Sequence, residues 1–325
     1  MTHLILSSEA TADQGTECWT LSSEKHIKTT IVNVKENLAK SIPTLPSKFS
    51  TPFTSGCHPA EDTTNESDAE GTQHCQELIG VLRWAAESGR VDVLLEVSLL
   101  SSHLALPWVG HLQQVCHMFG CLDKAPRRRL FFDPLAPAIS EQRFQQCEWV
   151  DFCRDAKEET PLNMPEPRGR ELGIHCFLDA SHAAEKATRR SQTGMLIFVN
   201  QAPIIFFSKR QNSVETSTFG SEFAACKQSA ELVKALRCKL RMFGIPIEGP
   251  ASLHCDDEAV CRNVAIPTSV LNKKMHGISC HCCREAVASG TCWIAKEDTH
   301  TNPSDSFTKV MSAAKRETLL DRFMC

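Results

Sequence analysis

Ile174-His175-Cys176-Phe177-Leu178-Asp179 is the stretch that decides the fold class of this chain. A mostly apolar run of five residues ends at a carboxylate, which is typical of a buried strand that carries an acidic side chain to the edge of a sheet. Two further strand-like runs follow after short polar turns, at Met195 to Val199 and at Pro203 to Ser208. The three runs together predict a three-stranded meander.

The residues after the predicted meander alternate between helical and strand-like patterns. Apolar residues between Phe223 and Phe243 recur at helical spacing, and Gly244 and Pro246 end that helix. The elements predicted beyond it are a strand at Ala251 to Cys255, helices at Glu258 to Val264 and Lys273 to Ala288, a strand at Thr291 to Lys296 and a helix near Ala313 to Phe323. A meander followed by such alternation predicts an α/β fold, with a mixed sheet flanked by helices.

Four acidic residues stand at the ends of these predicted elements. Asp179 ends the first strand, and Glu222 opens the long helix. Asp256 follows the next strand, and Asp305 begins a polar turn before the last helix. Acidic side chains placed in this way can converge in space, and a pair of Mg²⁺ or Mn²⁺ ions about 3.5 to 4 Å apart requires several oxygen ligands. We therefore predict that these four residues are metal ligands and catalytic residues.

The first half of the chain has a different pattern and is predicted to be largely helical. Apolar spacing predicts a helix over residues 24–40, and the Pro-, Ser- and Thr-rich residues 42–73 predict a linker or a long surface loop. Three apolar stripes in residues 75–124 predict consecutive helices, and Leu130-Phe131-Phe132 predicts a short strand. The predicted domain organisation is a first segment over 1–74, a helical region over 75–132, a connector over 133–170 and an α/β domain over 171–325.

Charge is distributed in local clusters. The net charge of −4 creates no overall positive field, so any contact with nucleic acid must come from compact basic groups. A single such group is more often a solvated turn than a binding site. The predicted nucleic-acid-binding residues are Arg189, Arg190, Lys209, Arg210, Lys273 and Lys274.

Cysteine content and hydropathy bear on the cellular compartment. Seventeen cysteines at irregular spacings favour reduced thiols over a disulfide framework. Cys280-His281-Cys282-Cys283 has no second ligand pair at the spacing of a structural zinc site, so we do not expect one there. The sequence contains no apolar run of membrane-spanning length and no cationic leader at its start. We expect an intracellular protein, cytoplasmic or nuclear, with no membrane partner.

Six motifs contain or connect the four acids. They are Leu178-Asp179-Ala180-Ser181-His182-Ala183, Thr188-Arg189-Arg190-Ser191-Gln192-Thr193-Gly194, Phe207-Ser208-Lys209-Arg210-Gln211, Gly220-Ser221-Glu222-Phe223, Cys255-Asp256-Asp257-Glu258-Ala259 and Asp305-Ser306-Phe307-Thr308-Lys309. In this order, the motifs resemble the ribonuclease H region of copia-type retrotransposon polyproteins. Upstream, Gln76 to Trp84 and the helices up to Leu122 resemble the end of a reverse transcriptase, namely its thumb and connection.

The resemblance implies a ribonuclease H-like fold and a metal-dependent endonuclease that cuts RNA in RNA–DNA hybrids with two Mg²⁺ or Mn²⁺ ions. It implies that Asp179 contacts both ions and that Glu222 and Asp256 hold the ion on the leaving-group side. Asp305 would help to hold the ion that activates the attacking water. A Tyr-x-Asp-Asp hairpin of a polymerase palm is absent from this sequence, so we do not expect polymerase activity.

Three positions depart from the copia pattern and support alternative hypotheses. Ser181 stands where relatives carry a second aspartate, Pro303 lies two residues before Asp305 in place of a leucine, and Met275 replaces a histidine. The chain also contains no tyrosine. The first alternative is a non-catalytic, decayed nucleic-acid-binding fragment in which the carboxylates do not assemble. The second is a poorly folding fragment whose helices over 75–124 expose an unpaired apolar face.

Overall fold

The computed structural model describes residues 9–12, 18–38, 51–53, 58–247, 249–271 and 274–325. The strands in these ranges are β1 (Glu9–Ala12), β2 (Trp19–Ser22), β3 (Leu130–Phe132), β4 (Ile174–Ser181), β5 (Gln192–Val199), β6 (Ala202–Arg210), β7 (Ala251–Cys255) and β8 (Cys292–Lys296). The helices are α1 (Glu24–Leu38), α2 (Ala69–Glu87), α3 (Leu94–Ser101), α4 (Val109–Lys124), α5 (Val150–Cys153), α6 (Thr218–Met242), α7 (Glu258–Ala265), α8 (Gly277–Ala288) and α9 (Ala313–Leu320). Short 3-10 helices lie at Pro59–Glu61, Val91–Val93, Glu141–Arg143, Lys274–His276 and Pro303–Phe307.

A five-stranded mixed sheet with the strand order β6-β5-β4-β7-β8 organises the second half of the chain. The strands β4, β5 and β6 form the predicted antiparallel meander. The strand β7 pairs in parallel with β4, and β8 pairs in parallel with β7, so these strands require helical crossovers, which α6, α7 and α8 provide. The predicted α/β class is confirmed, and the arrangement is consistent with a ribonuclease H-like fold.

One face of this sheet is buried beneath α6, α7 and α8. Cys176 and Leu178 of β4 lie in one apolar cluster with Phe223 of α6. Because alternate side chains of a strand point to opposite faces, Phe177 and Asp179 belong to the other face. Asp179 therefore lies on the face of the sheet opposite to α6, α7 and α8.

The second face is covered by the helices of the first half of the chain and by C-terminal residues. Leu100 of α3 and Phe119 of α4 belong to one buried cluster with Phe198 of β5, Phe307 and Phe323. The helix α3 also contacts β6 directly. The helices thus bury their apolar stripes against the sheet, and the hypothesis that they expose an unpaired apolar face is wrong.

A smaller antiparallel sheet, with the order β1-β2-β3, joins distant parts of the chain. The predicted strand at Leu130–Phe132 is confirmed as β3, whereas no strand was predicted before residue 24. Thr20 of β2 pairs with Phe131, far along the chain, and local periodicity does not encode such a pairing. Arg129 and Cys325 exchange two backbone hydrogen bonds of 2.9 and 3.1 Å, so the C-terminal residues extend this sheet.

Several predicted element boundaries differ from the observed ones. The predicted loop over 42–73 is wrong at its end, because α2 begins at Ala69 after Asp68, whose side chain accepts a hydrogen bond from the Gly71 N–H. The first turn of α2 is polar, so it carries no apolar periodicity. Residues 42–50 and 54–57 of that segment, and residues 39 and 40 of the predicted first helix, lie outside the described residues. The division of the chain into four segments stays a prediction. Within the described ranges, none of the helices combines the length and the apolar character of a membrane span.

Candidate metal-binding site

Asp179 lies near the carboxyl end of the central strand β4 and is fully buried. Its partner on β5 is Gly194. On the other side, Leu178 is in register with Cys255 of the parallel strand β7, so the next residue, Asp256, lies beside Asp179. The carboxyl ends of parallel strands meet at one edge of a sheet, and this geometry brings two of the predicted acids together.

Asp305 is brought to the same edge by the 3-10 helix Pro303–Phe307, which lies against β4 and β5. Asn302 precedes this helix, and its side-chain Nδ2 donates a hydrogen bond of 2.9 Å to the carbonyl of Leu178. Pro303 occupies the start of the helix, where a backbone N–H has no intrahelical partner. The departure from the copia pattern at this position is therefore compatible with a turn that carries Asp305 to the sheet.

Glu222 projects from the N-terminal part of α6, the helix that covers the apolar face. Its side chain is 7% exposed, and Oε1 accepts a hydrogen bond of 3.0 Å from the backbone N–H of Ala180. Its other oxygen, Oε2, is buried and finds no hydrogen-bond donor among the described residues. A buried carboxylate oxygen without a partner is costly unless a proton or a cation joins it. Glu222 thus offers a free ligand atom beside β4.

The four predicted acids fall into two overlapping groups. The ligand oxygens of Asp179, Asp256 and Asp305 lie within 4.8 Å of one another. Ligand atoms of Glu222, Cys255 and Asp256 also lie within 4.8 Å of one another, so Asp256 belongs to both groups. Carboxylate oxygens suit Mg²⁺ and Mn²⁺, and the donor set therefore fits such ions. The metal and catalytic roles of these residues stay predictions.

Two lysines and a threonine were not predicted as part of the site. Lys309 Nζ lies 3.1 Å from Asp179 Oδ1 and 2.9 Å from Asp305 Oδ1. Lys315 Nζ lies 3.3 Å from Asp305 Oδ2, and Thr308 donates its hydroxyl hydrogen bond to Asp179. Lys309 follows Asp305 by four residues, a spacing at which side chains meet across one helical turn. That spacing is the signal in the sequence from which Lys309 could have been found.

Burial controls the protonation of the acids. It raises the pKa of Asp179 to about 6, and the neighbouring charges of Asp305 and Asp256 act in the same direction. Burial also raises the pKa of Glu222 well above its ordinary range and raises the pKa of Asp256. Burial opposes the charge of Lys309, but the carboxylates of Asp179 and Asp305 overcome it and raise the pKa of the lysine. Negative charge is thus concentrated where water screens it poorly, a condition that favours a bound cation.

Four of the predicted nucleic-acid-binding residues lie near the edge of the sheet that carries Asp179 and Asp256. Arg189 and Arg190 lie in the loop between β4 and β5, and Arg189 is exposed. Lys209 is exposed near the end of β6. Arg210 is half-buried, with its guanidinium 4.0 Å from Glu185 Oε2. All four side chains therefore face solvent at least partly, and Arg210 also contacts a carboxylate.

Lys274, of the last basic cluster, lies in a 3-10 helix beside the N-terminal part of α6. Lys274 is exposed at the start of a 3-10 helix, and Lys273 lies outside the described residues. The ring of His276, in the same 3-10 helix, is 6.4 Å from the ring of Phe223. Met275, the position that departs from the copia pattern, is 67% exposed. The structure therefore places the 3-10 helix that contains Lys274 beside the N-terminal part of α6.

The sequence of this chain is similar to the sequences of retrovirus-related Pol polyproteins. The retrovirus-related Pol polyprotein from transposon RE1 of Arabidopsis thaliana is 23% identical over 235 residues, which are 72% of this chain and 14% of that protein. The corresponding polyprotein from transposon RE2 of the same plant is 25% identical over 145 residues, 45% of this chain and 10% of its own length. No protein-family model matches the chain. The predicted resemblance to copia-type polyproteins is confirmed, and the chain spans a small part of these relatives.

Proposed function

We propose that this chain is a retroelement-derived ribonuclease H that cleaves the RNA strand of RNA–DNA hybrids with two Mg²⁺ or Mn²⁺ ions. The observation that carries the proposal is the convergence of Asp179, Asp256 and Asp305, with Glu222 adjoining them through Asp256. The similarity to retrovirus-related Pol polyproteins supports a retroelement origin and nucleic acid as the class of partner.

The two overlapping ligand groups support two cation positions. Bound ions would supply a hydroxide near neutral pH and would shield the charge that develops on the phosphodiester. Glu222 and Asp256 would hold one ion and Asp305 the other, while Asp179 would contact both from the central strand. Lys309 lies between two of the carboxylates, where it keeps their side chains in place and offsets part of their charge.

The basic residues around the carboxylate end support binding of a charged backbone. Arg189, Lys209 and Lys274 are exposed, so their cations are free to meet phosphates. Recognition of the RNA strand would in addition require polar contacts to 2′-hydroxyls across the minor groove of the hybrid.

A cleavage assay tests this function. We expect the full chain to cut the RNA strand of a labelled RNA–DNA hybrid in the presence of Mg²⁺ or Mn²⁺ and to be inactive with EDTA. Asp179→Asn and Asp256→Asn should each reduce the rate by at least about 100-fold, because each removes a ligand whose ion stabilises the transition state by several kcal/mol. Asp321→Asn is the matched control, since that exposed carboxylate lies outside the site. Equal rates in all four proteins would exclude this enzyme.

One observation favours the alternative, a non-catalytic nucleic-acid-binding module. The ammonium groups of Lys309 and Lys315 already pair with Asp179 and Asp305, which is a charge balance that does not require metal ions. In that case the chain would bind hybrid or duplex without cutting it, and Asp179→Asn would leave the binding constant unchanged. The same assay, read for binding as well as for product, separates the two functions.

A further inference from the structure

A thiol lies among the carboxylates of the candidate metal-binding site. Cys255 is the last residue of β7 and is fully buried. Its Sγ lies within 4.8 Å of ligand oxygens of Glu222 and Asp256. The proposed cleavage of nucleic acid makes no use of a sulfur ligand, because Mg²⁺ and Mn²⁺ prefer oxygen.

We propose that Cys255, Glu222 and Asp256 form a binding site for a thiophilic divalent ion of the zinc class, which shares Glu222 and Asp256 with the proposed hard-ion site. Zinc and cadmium accept thiolate together with carboxylate oxygen, and thiolate is the ligand that distinguishes them from Mg²⁺. Three protein ligands leave one position of a tetrahedral site, which water fills in other zinc proteins.

The unpartnered oxygen of Glu222 is an independent observation that points to a cation at this place. Glu222 Oε1 is used by the Ala180 N–H, whereas Oε2 is buried without a donor among the described residues. A cation beside Cys255 would satisfy that oxygen. Asp256, the third ligand, is only half-buried, so an ion would enter the site where Asp256 meets solvent.

The two shared carboxylates predict competition between the two kinds of ion. An ion held by Cys255, Glu222 and Asp256 occupies two carboxylates that the proposed function assigns to Mg²⁺ or Mn²⁺. Zinc or cadmium would therefore displace a hard ion and inhibit cleavage. This regulatory consequence rests on the proposed function, whereas binding of the thiophilic ion does not.

Titration of the metal-free full chain with Cd²⁺ tests the site, because cadmium bound to thiolate has an ultraviolet charge-transfer absorption. We expect Cys255→Ser to lose one equivalent of that absorption. The variant should also bind Cd²⁺ at this site at least about tenfold more weakly, since tenfold is the smallest loss typical of removing even a residue that only hydrogen-bonds to a metal ligand. Cys282→Ser, at an exposed position in α8, is the matched control and should titrate like the wild type at this site.

A second variant keeps the test decisive if Cys255→Ser folds poorly. Glu222→Gln retains the thiol and removes the free carboxylate oxygen, so it should also weaken the binding of Cd²⁺. Titrations of either folded variant that match the wild type in stoichiometry and affinity would overturn the inference. The Cd²⁺ result does not depend on cleavage, so absence of hybrid cleavage with Mg²⁺ or Mn²⁺ rejects the proposed function alone.

Discussion

Asp179 is a predicted metal ligand whose burial also destabilises the folded protein. It is fully buried on the central strand, and its charge has two described partners, the hydroxyl of Thr308 and the ammonium of Lys309. Asp256 and Asp305 lie close enough to oppose its ionisation. A buried carboxylate among like charges destabilises the folded state near neutral pH unless a cation offsets it.

The raised pKa of Asp179 predicts an unusual dependence of stability on pH. The folded protein binds this proton more tightly than the unfolded chain does, so the contribution of Asp179 to stability is present below pH 4 and is lost as the pH rises through about 6. The change of pKa from 3.8 to about 6 corresponds to about 3 kcal/mol. Without divalent ions, the free energy of unfolding of the wild type should fall by this order relative to Asp179→Asn between pH 4 and pH 7.

Urea unfolding of both proteins at a series of pH values measures this difference. The charge of Asp179 also raises the pKa of Glu222, so the difference between the two proteins measures Asp179 together with its coupling to the neighbouring acids. Parallel pH profiles for the wild type and Asp179→Asn would show that the burial of Asp179 does not control its proton.

At the scale of elements, the position of the 3-10 helix Pro303–Phe307 against β5 determines where Asp305 lies. Gly194 of β5 is the residue beneath this helix and is in register with Asp179. A Cβ atom at Gly194 would lie 2.7 Å from the carbonyl oxygen of Ser304 and 2.9 Å from Cβ of Phe307. Real Cβ atoms do not approach backbone so closely, so the absence of a side chain at Gly194 allows the helix to contact the sheet.

Gly194→Ala is therefore expected to move the 3-10 helix and to separate Asp305 from Asp179. Overpacking at such a position costs about 1 to 3 kcal/mol, which urea unfolding measures. Cleavage of the hybrid should fall together with stability. Gly80→Ala is the control, since an added Cβ meets no atom within 4 Å there and a helical alanine stabilises α2 by about 0.5 to 1 kcal/mol. A Gly194→Ala protein with wild-type stability and activity would contradict this role.

At the scale of the whole molecule, one apolar core joins the helical first half to the sheet. Arg316 of α9 is buried, and it pairs with Glu96 of α3 and donates to the backbone carbonyl of Asp92. The chain ends at Cys325, which is hydrogen-bonded to Arg129 next to β3. The predicted helical region and the predicted α/β domain thus share an apolar core and a buried ion pair.

This shared core predicts that the two regions unfold together. Thermal or urea unfolding of the full chain should give a single transition by tryptophan fluorescence that coincides with the transition by circular dichroism, because Trp84 of α2 and Trp293 of β8 report on the two regions. A fragment of residues 171–325 should bind a hydrophobic dye, since Leu196 and Phe198 lose their cover. Separate transitions, or a stable fragment without dye binding, would contradict a common core.

Local patterns in the sequence predicted much of the fold and the acidic residues of the site. Apolar periodicity and turn residues predicted the meander, and helical spacing predicted α1 and α6. The same reasoning missed the polar first turn of α2 at Ala69, because a solvated turn carries no apolar period. The sequence predicted the positions of Asp179 and Asp256 at strand ends, because local composition indicates where a strand ends.

The sequence by itself therefore determined the fold class, the resemblance to copia-type polyproteins and the identity of the candidate acids, because periodicity and motif order are local properties. Only the tertiary structure decided that Thr20 pairs with Phe131, that Lys309 lies between two acids and that Cys255 lies beside Glu222. Each of these contacts depends on how distant or differently oriented elements pack against one another. Such packing arises from the whole folded chain, and no single stretch of residues encodes it.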